Sequence, residues 1–135
     1  MLKPDSRKKS ISAKLREENV LAIKQYIQGL VYGYSIANPD NYFYSRDLVG
    51  GDNYLWEGTP LECLYYSHRV NGKSNEKAIK AAGNDFGLLL ADVLREDIRT
   101  FIAADGDRAK KYKREKPEED KHFNENKDNS WIKFV

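Results

Sequence analysis

Residues 74–99, SNEKAIKAAGNDFGLLLADVLREDIR, decide how the rest of the chain reads. Ile79, Ala82, Phe86, Leu89, Leu90 and Val93 recur at helical spacing and form one apolar face. Ser74 suits the N-cap, where its hydroxyl can accept from an orphan amide one turn on. Glu76 in the first turn and Arg95 and Arg99 near the far end all agree with the helix dipole. Gly83 and Gly87 complicate the pattern, because a glycine inside a helix costs about 1 kcal/mol relative to alanine. Either Gly83-Asn84-Asp85 is a turn, giving a helix-turn-helix, or one continuous helix uses its glycines to admit a neighbouring backbone.

Directly after this stretch, Thr100 to Ala103 reads as a short strand. Asp105-Gly106 is a turn pair of the kind hairpins use, and Arg108 to Tyr112 reads as the return strand. A continued helix competes, because Ala103, Ala104, Ala109 and the lysines tolerate one. From Lys113 the chain becomes highly charged with little to bury, so a disordered tail is expected. It ends in an apolar Trp131-Ile132-Lys133-Phe134-Val135.

Upstream, residues 1–9 read as a flexible basic arm. A helix is expected from Ser10 or Ser12 to Tyr34, with Val20, Ile23, Ile27, Leu30, Val31 and Tyr34 inward and Arg16, Glu17, Lys24 and Gln28 outward. Gly29 and Gly33 suggest close packing on a neighbouring helix. Asn38-Pro39-Asp40 is a turn. Tyr42-Phe43-Tyr44 favours extended backbone, and Ser45 starts a short helix through Leu48 that Gly50-Gly51 ends. Tyr54 and Trp56 then lie in a loop, where they would either stack on bases or cover the core. Thr59, Pro60 and Glu62 have capping-box spacing for a further helix. Leu61, Leu64, Tyr65 and His68 lie along one face of that helix, and Gly72 stops it.

At 135 residues, 40% hydrophobic and 33% charged, the chain suits one domain with long solvated faces. The formal net charge of +2 matters less than its distribution. Residues 1–25 hold seven basic and three acidic side chains, and residues 107–116 hold six and two. A polyanion would sit against those clusters. Cys63 is the single cysteine, so neither an internal disulfide nor a cysteine-based zinc site is expected, and a reducing cytoplasm fits. No apolar run has the roughly 20 residues of a membrane span, and residues 1–10 lack the apolar core of a secretory signal.

Catalysis needs convergent titratable groups. His68 lies among apolar neighbours and His122 in the charged tail, without zinc-motif spacing. Asp40, Asp47, Asp52 and Glu57 would be the carboxylates of a metal-dependent nuclease, although acids in loops usually serve turns and solvation. No catalytic set, metal site or cofactor is therefore expected.

The order of elements resembles that of winged-helix DNA-binding domains: long helix, extended aromatic segment, short helix, capped helix, periodic helix, basic hairpin. Tyr42–Leu48, Ala82–Leu94 as recognition helix and Arg99–Tyr112 as wing carry the resemblance, across roughly residues 17–114. It implies a mainly α (α+β) fold: a winged-helix-like domain over residues 10–114, followed by the tail from residue 115 to 135. It also implies double-stranded DNA as partner. Asn84, Leu88, Ala91 and Arg95 would face the groove, and Arg108, Lys110, Lys111 and Lys113 would contact phosphates. Lys8, Lys9 and Lys14 would add an N-terminal arm. Asp85, Asp92, Glu96 and Asp97 on or beside the candidate recognition helix oppose this, because acids repel phosphates. The function expected is that of a small DNA-binding regulator or accessory factor of a phage or mobile element. The alternative is a protein-binding adaptor or inhibitor using Tyr54, Trp56, Trp131, Ile132 and Phe134.

Overall fold

The computed structural model describes residues 10–49 and 56–115. Four helices precede one hairpin: α1 (Glu17–Ala37), α2 (Ser45–Leu48), α3 (Glu62–Val70), α4 (Asn75–Glu96), β1 (Phe101–Asp105) and β2 (Lys110–Arg114). The chain is thus mainly α with a small β part, an order compatible with a winged-helix layout. Expectations that fall on residues 1–9, 50–55 and 116–135, including the flexible arm and the charged tail, lie outside the described residues.

α4 is the central element, and it is continuous. The Ser74 hydroxyl accepts from the Lys77 amide at 3.3 Å, as an N-cap should. The helix then runs through Gly83 without a turn, so of the two readings of this stretch the continuous helix holds, although a Cβ at Gly87 would meet nothing within 4 Å. Ala82, Phe86, Leu89, Leu90, Val93 and Leu94 are buried. They meet Ile23, Ile27 and Val31 of α1, Leu64 of α3, and Phe43, Phe101 and Tyr112 in one core.

α1 starts later than expected, at Glu17, and ends later, at Ala37. The physical reason lies in residues 12–14. The amides of Ser12 and Ala13 donate to the Asp85 carboxylate and that of Lys14 donates to the Ser67 hydroxyl. These donors are therefore committed to side chains of α3 and α4. The expected role of Gly29 and Gly33 is also corrected. A Cβ at either position would meet nothing within 4 Å, so neither glycine admits a neighbour.

α3 begins at Glu62 instead of just after Thr59. The Glu62 carboxylate accepts from the Gly58 amide at 3.1 Å, so its reciprocal partner lies one residue earlier than in a capping box on Thr59. Gly58 holds φ 78°, which glycine adopts freely. Trp56 is buried and packs edge-on against Phe86, with ring centroids 5.5 Å apart. It is part of the core and is corrected out of the exposed partner-binding set.

The hairpin is antiparallel, with Ala103 opposite Tyr112 and Asp105 opposite Lys110. Its turn falls slightly later than expected, at residues 106–109, where the Gly106 amide donates to the Ala109 carbonyl. Phe43 pairs with Tyr112 through two main-chain hydrogen bonds of 2.7 and 2.8 Å, an isolated bridge beside β2. Tyr44 then reaches the turn, where its hydroxyl accepts from the Asp107 amide at 2.9 Å. A side chain at Gly106 would collide with the Tyr44 ring, so this close approach requires glycine.

Candidate nucleic-acid interface

Two polar clusters inside the fold determine which charges remain outside. The first is built on Asp85, 1% exposed, on the inner face of α4. Its Oδ1 accepts from the Ser12 amide at 2.8 Å and the Ser12 hydroxyl at 3.0 Å. Its Oδ2 accepts from the Ala13 amide at 3.0 Å and lies 2.7 Å from His68 Nε2. His68 is buried, as its apolar neighbours imply. Serine, histidine and aspartate thus meet, but in the wrong order for a nucleophile. In a serine triad the histidine stands between hydroxyl and carboxylate, whereas here both point at the carboxylate. The cluster fastens residues 12–14 to α3 and α4.

The second is built on Asp97, also 1% exposed, just after α4. Tyr32 donates its hydroxyl to Oδ2 at 2.7 Å, and the Arg99 amide donates to Oδ1 at 2.8 Å. Gln28 donates to Oδ2 at 3.4 Å. The Arg99 guanidinium donates to the Tyr32 hydroxyl at 3.3 Å and lies over its ring. Burial raises the Tyr32 phenol above its ordinary 10.0, and the hydrogen bond to Asp97 pushes the same way. Asp97 also explains why α4 does not continue, since its backbone is extended at φ −69°, ψ 146°.

These clusters correct the reading of the acids on α4. Asp85 and Asp97 face inward, so neither confronts a phosphate. Asp92 is paired with Arg95 at 2.6 Å, and Glu96 with Lys24 at 3.0 Å. Of the expected groove-facing side chains, Asn84 is exposed, whereas Leu88, Ala91 and Arg95 are half-buried. The Arg95 charge is also felt at the hairpin. Burial raises the Tyr112 phenol while the charges of Arg95 and Lys110 pull it down.

The exposed stripe of α4 lies in its first half. Lys77, Lys80 and Asn84 are exposed and spaced three and four residues apart, so they share one side of the helix. Lys77 and Lys80 escaped the sequence reading because the winged-helix resemblance starts the candidate recognition helix at Ala82, after both lysines. The usable signal was Ser74, whose cap makes residues 75–84 the start of the same helix.

On the hairpin, Arg108 is exposed at the turn with φ 63°. Lys110 pairs with Asp105, whose carboxyl is held below 3.8 by that hydrogen bond. Lys111 and Lys113 lie 4.9 and 5.1 Å from the centroid of the Tyr42 ring. Lys14 is exposed on the segment that Asp85 fastens. Lys8, Lys9, Tyr54, Trp131, Ile132 and Phe134 lie outside the described residues.

Among the described residues, no three His, Cys, Asp or Glu side chains gather so as to hold a metal ion. Nor is any helix there long and apolar enough to cross a membrane. Comparison with protein-family profiles, curated proteins and solved structures found no match.

Proposed function

We propose that this chain is a small DNA-binding protein, a regulator or accessory factor, that engages double-stranded DNA with α4 and the hairpin. The observation that carries this reading is the basic hairpin directly after a helix whose first half exposes Lys77, Lys80 and Asn84. Lysines on a helix face and on a wing neutralise phosphates, and that term dominates affinity for duplex DNA. Asn84 is the side chain on the stripe able to read a base edge, because an amide can pair bidentately with adenine. The inward turn of Asp85 and Asp97 removes two of the repulsive charges that counted against the reading.

Fluorescence anisotropy with a labelled random duplex tests it. The wild-type chain should bind, and both K77A/K80A and K110A/K111A/K113A should weaken binding with unchanged helical content. Equal affinity in all three proteins would overturn the assignment of these surfaces.

A further inference from the structure

The outward face of the hairpin carries Lys111 and Lys113, which the duplex reading assigns to phosphates, beside aromatic rings that the duplex reading does not use. Strand side chains alternate between faces, and cross-strand partners share a face. Phe43, Phe101 and Tyr112 are buried, so their side of the sheet faces the core. The opposite side therefore carries Tyr42 and Tyr44, Lys111 and Lys113, and Ile102 and Ala104. The contacts agree, since both lysine ammonium groups lie about 5 Å from the Tyr42 ring centroid, at 4.9 and 5.1 Å. Arg46 adds a third cation, 4.2 Å above the Tyr44 ring. None of the six outward strand positions is acidic, and all six remain at least partly open to solvent.

The chemistry of this face differs from that of an ordinary basic patch. Exposed lysines usually extend away from one another into water, yet here two like charges converge on one aromatic ring. The ring quadrupole holds each of them by about 0.5–1 kcal/mol at an exposed site. The result is a flat surface with two phenol rings, an isoleucine and three cations. Aromatic rings beside a positively charged track are what unpaired nucleotides recognise: bases stack on the rings while the backbone phosphates meet the cations. A stacked duplex cannot offer a base face to Tyr42, whereas a single strand can.

We propose that the outward face of the hairpin, centred on Tyr42, Lys111 and Lys113, binds an unpaired nucleic-acid strand. Tyr42 stacks against a base, Lys111 and Lys113 hold the flanking phosphates, and Arg46 extends the track beyond Tyr44. This site does not need α4; it shares Lys111 and Lys113 with the duplex reading, and Tyr42 on one side and Lys77 and Lys80 on the other tell the two apart.

The test measures anisotropy of labelled thymidine and uridine 12-mers and of a blunt duplex, using the full chain with Y42F, Y42L, K111Q/K113Q and K77A/K80A. Y42F keeps the ring and should bind single strands as the wild type does. Y42L keeps apolar bulk without a π face and should lose about 5- to 100-fold, the range for one stacked base. K111Q/K113Q should also weaken single-strand binding, whereas K77A/K80A should leave it unchanged. The two oligomers decide between DNA and RNA as the preferred strand. Single-strand affinity unaltered in Y42L, with Y42L as thermally stable as Y42F, would overturn the proposal, as would wild-type protein that ignores both 12-mers. Duplex binding that survives Y42L but not K77A/K80A separates the two sites. Absence of duplex binding alongside normal 12-mer binding defeats the α4 reading only.

Discussion

Asp85 and Asp97 are equally buried, at 1% exposure, yet they hold the molecule together in different ways. Asp85 takes two main-chain amides and a hydroxyl from the N-terminal segment, together with His68 of α3. Asp97 takes Tyr32 and Gln28 of α1 and the amide of Arg99. The first carboxylate therefore replaces secondary structure for a segment that has none, and the second ties the end of α4 to the body of α1. The buried acid is a fastening in both cases, on the central helix at Asp85 and just after it at Asp97, and neither carboxylate is open to solvent.

The comparison breaks most easily at Asp85. Asp85→Ala leaves several buried donors without an acceptor and should cost about 3–5 kcal/mol, since each one left unsatisfied costs about 1–3 kcal/mol. Asp97→Ala should cost less, about 2–3 kcal/mol, because it orphans one main-chain amide where Asp85→Ala orphans two. The partly exposed Tyr32 hydroxyl can donate to water instead. Urea midpoints rank the two, and a more damaging Asp97 change would invert the account.

Tyr32 sharpens the difference. Its folded pKa lies above 10.0, raised by burial and then by Asp97. The proton is therefore held more tightly in the folded state than in the unfolded one. The stability this contributes is complete below pH 10 and is lost as pH rises through the folded value. Tyr32→Phe should cost about 1 kcal/mol at neutral pH through the missing hydrogen bond, and should flatten part of the alkaline decline. The raised Tyr112 phenol leaves the remainder of the slope in place. An alkaline melting series on both proteins reads this directly, and superimposable curves would remove Tyr32 from the Asp97 cluster.

The smallest effects should be gains. Gly29 and Gly33 lie on α1 with open space around them, so alanine at either site should stabilise by up to about 1 kcal/mol. Arg108 holds φ 63°, a region that costs a non-glycine residue energy. Arg108→Gly should stabilise by a few tenths of a kcal/mol, roughly within the range for relieving such strain. Thermal melts check all three, and a loss at Gly29 or Gly33 would point to a neighbour on that face.

Periodicity sufficed to read α4, the face of α3 and the core of α1, because apolar side chains repeat there at helical spacing. The basic hairpin was legible from Asp105-Gly106 between two short runs. What escaped has a common physical cause. The amides of Ser12 and Ala13 bond a carboxylate more than seventy residues away, and no local pattern records such a partner. Trp56 reads from sequence as a cover over the core or a stacking residue, and its burial bears out the first. Nothing in the polar, glycine-rich stretch before it names Phe86 as the ring it packs on. Glycine spacing misled at Gly29 and Gly33, where nothing packs, and at Gly83 left a turn and the continuous helix equally open. Lys77 and Lys80 were within reach of the sequence once Ser74 is accepted as the start of one uninterrupted helix.

The most direct test of the DNA-binding account is the affinity of the wild-type chain for duplex DNA across a salt series from about 50 to about 200 mM. The account predicts that log K falls linearly with log salt, by about 0.9 for each phosphate contacted, and that K77A/K80A gives a shallower line. Affinity that stays level across the series, or the same slope in both proteins, would contradict it.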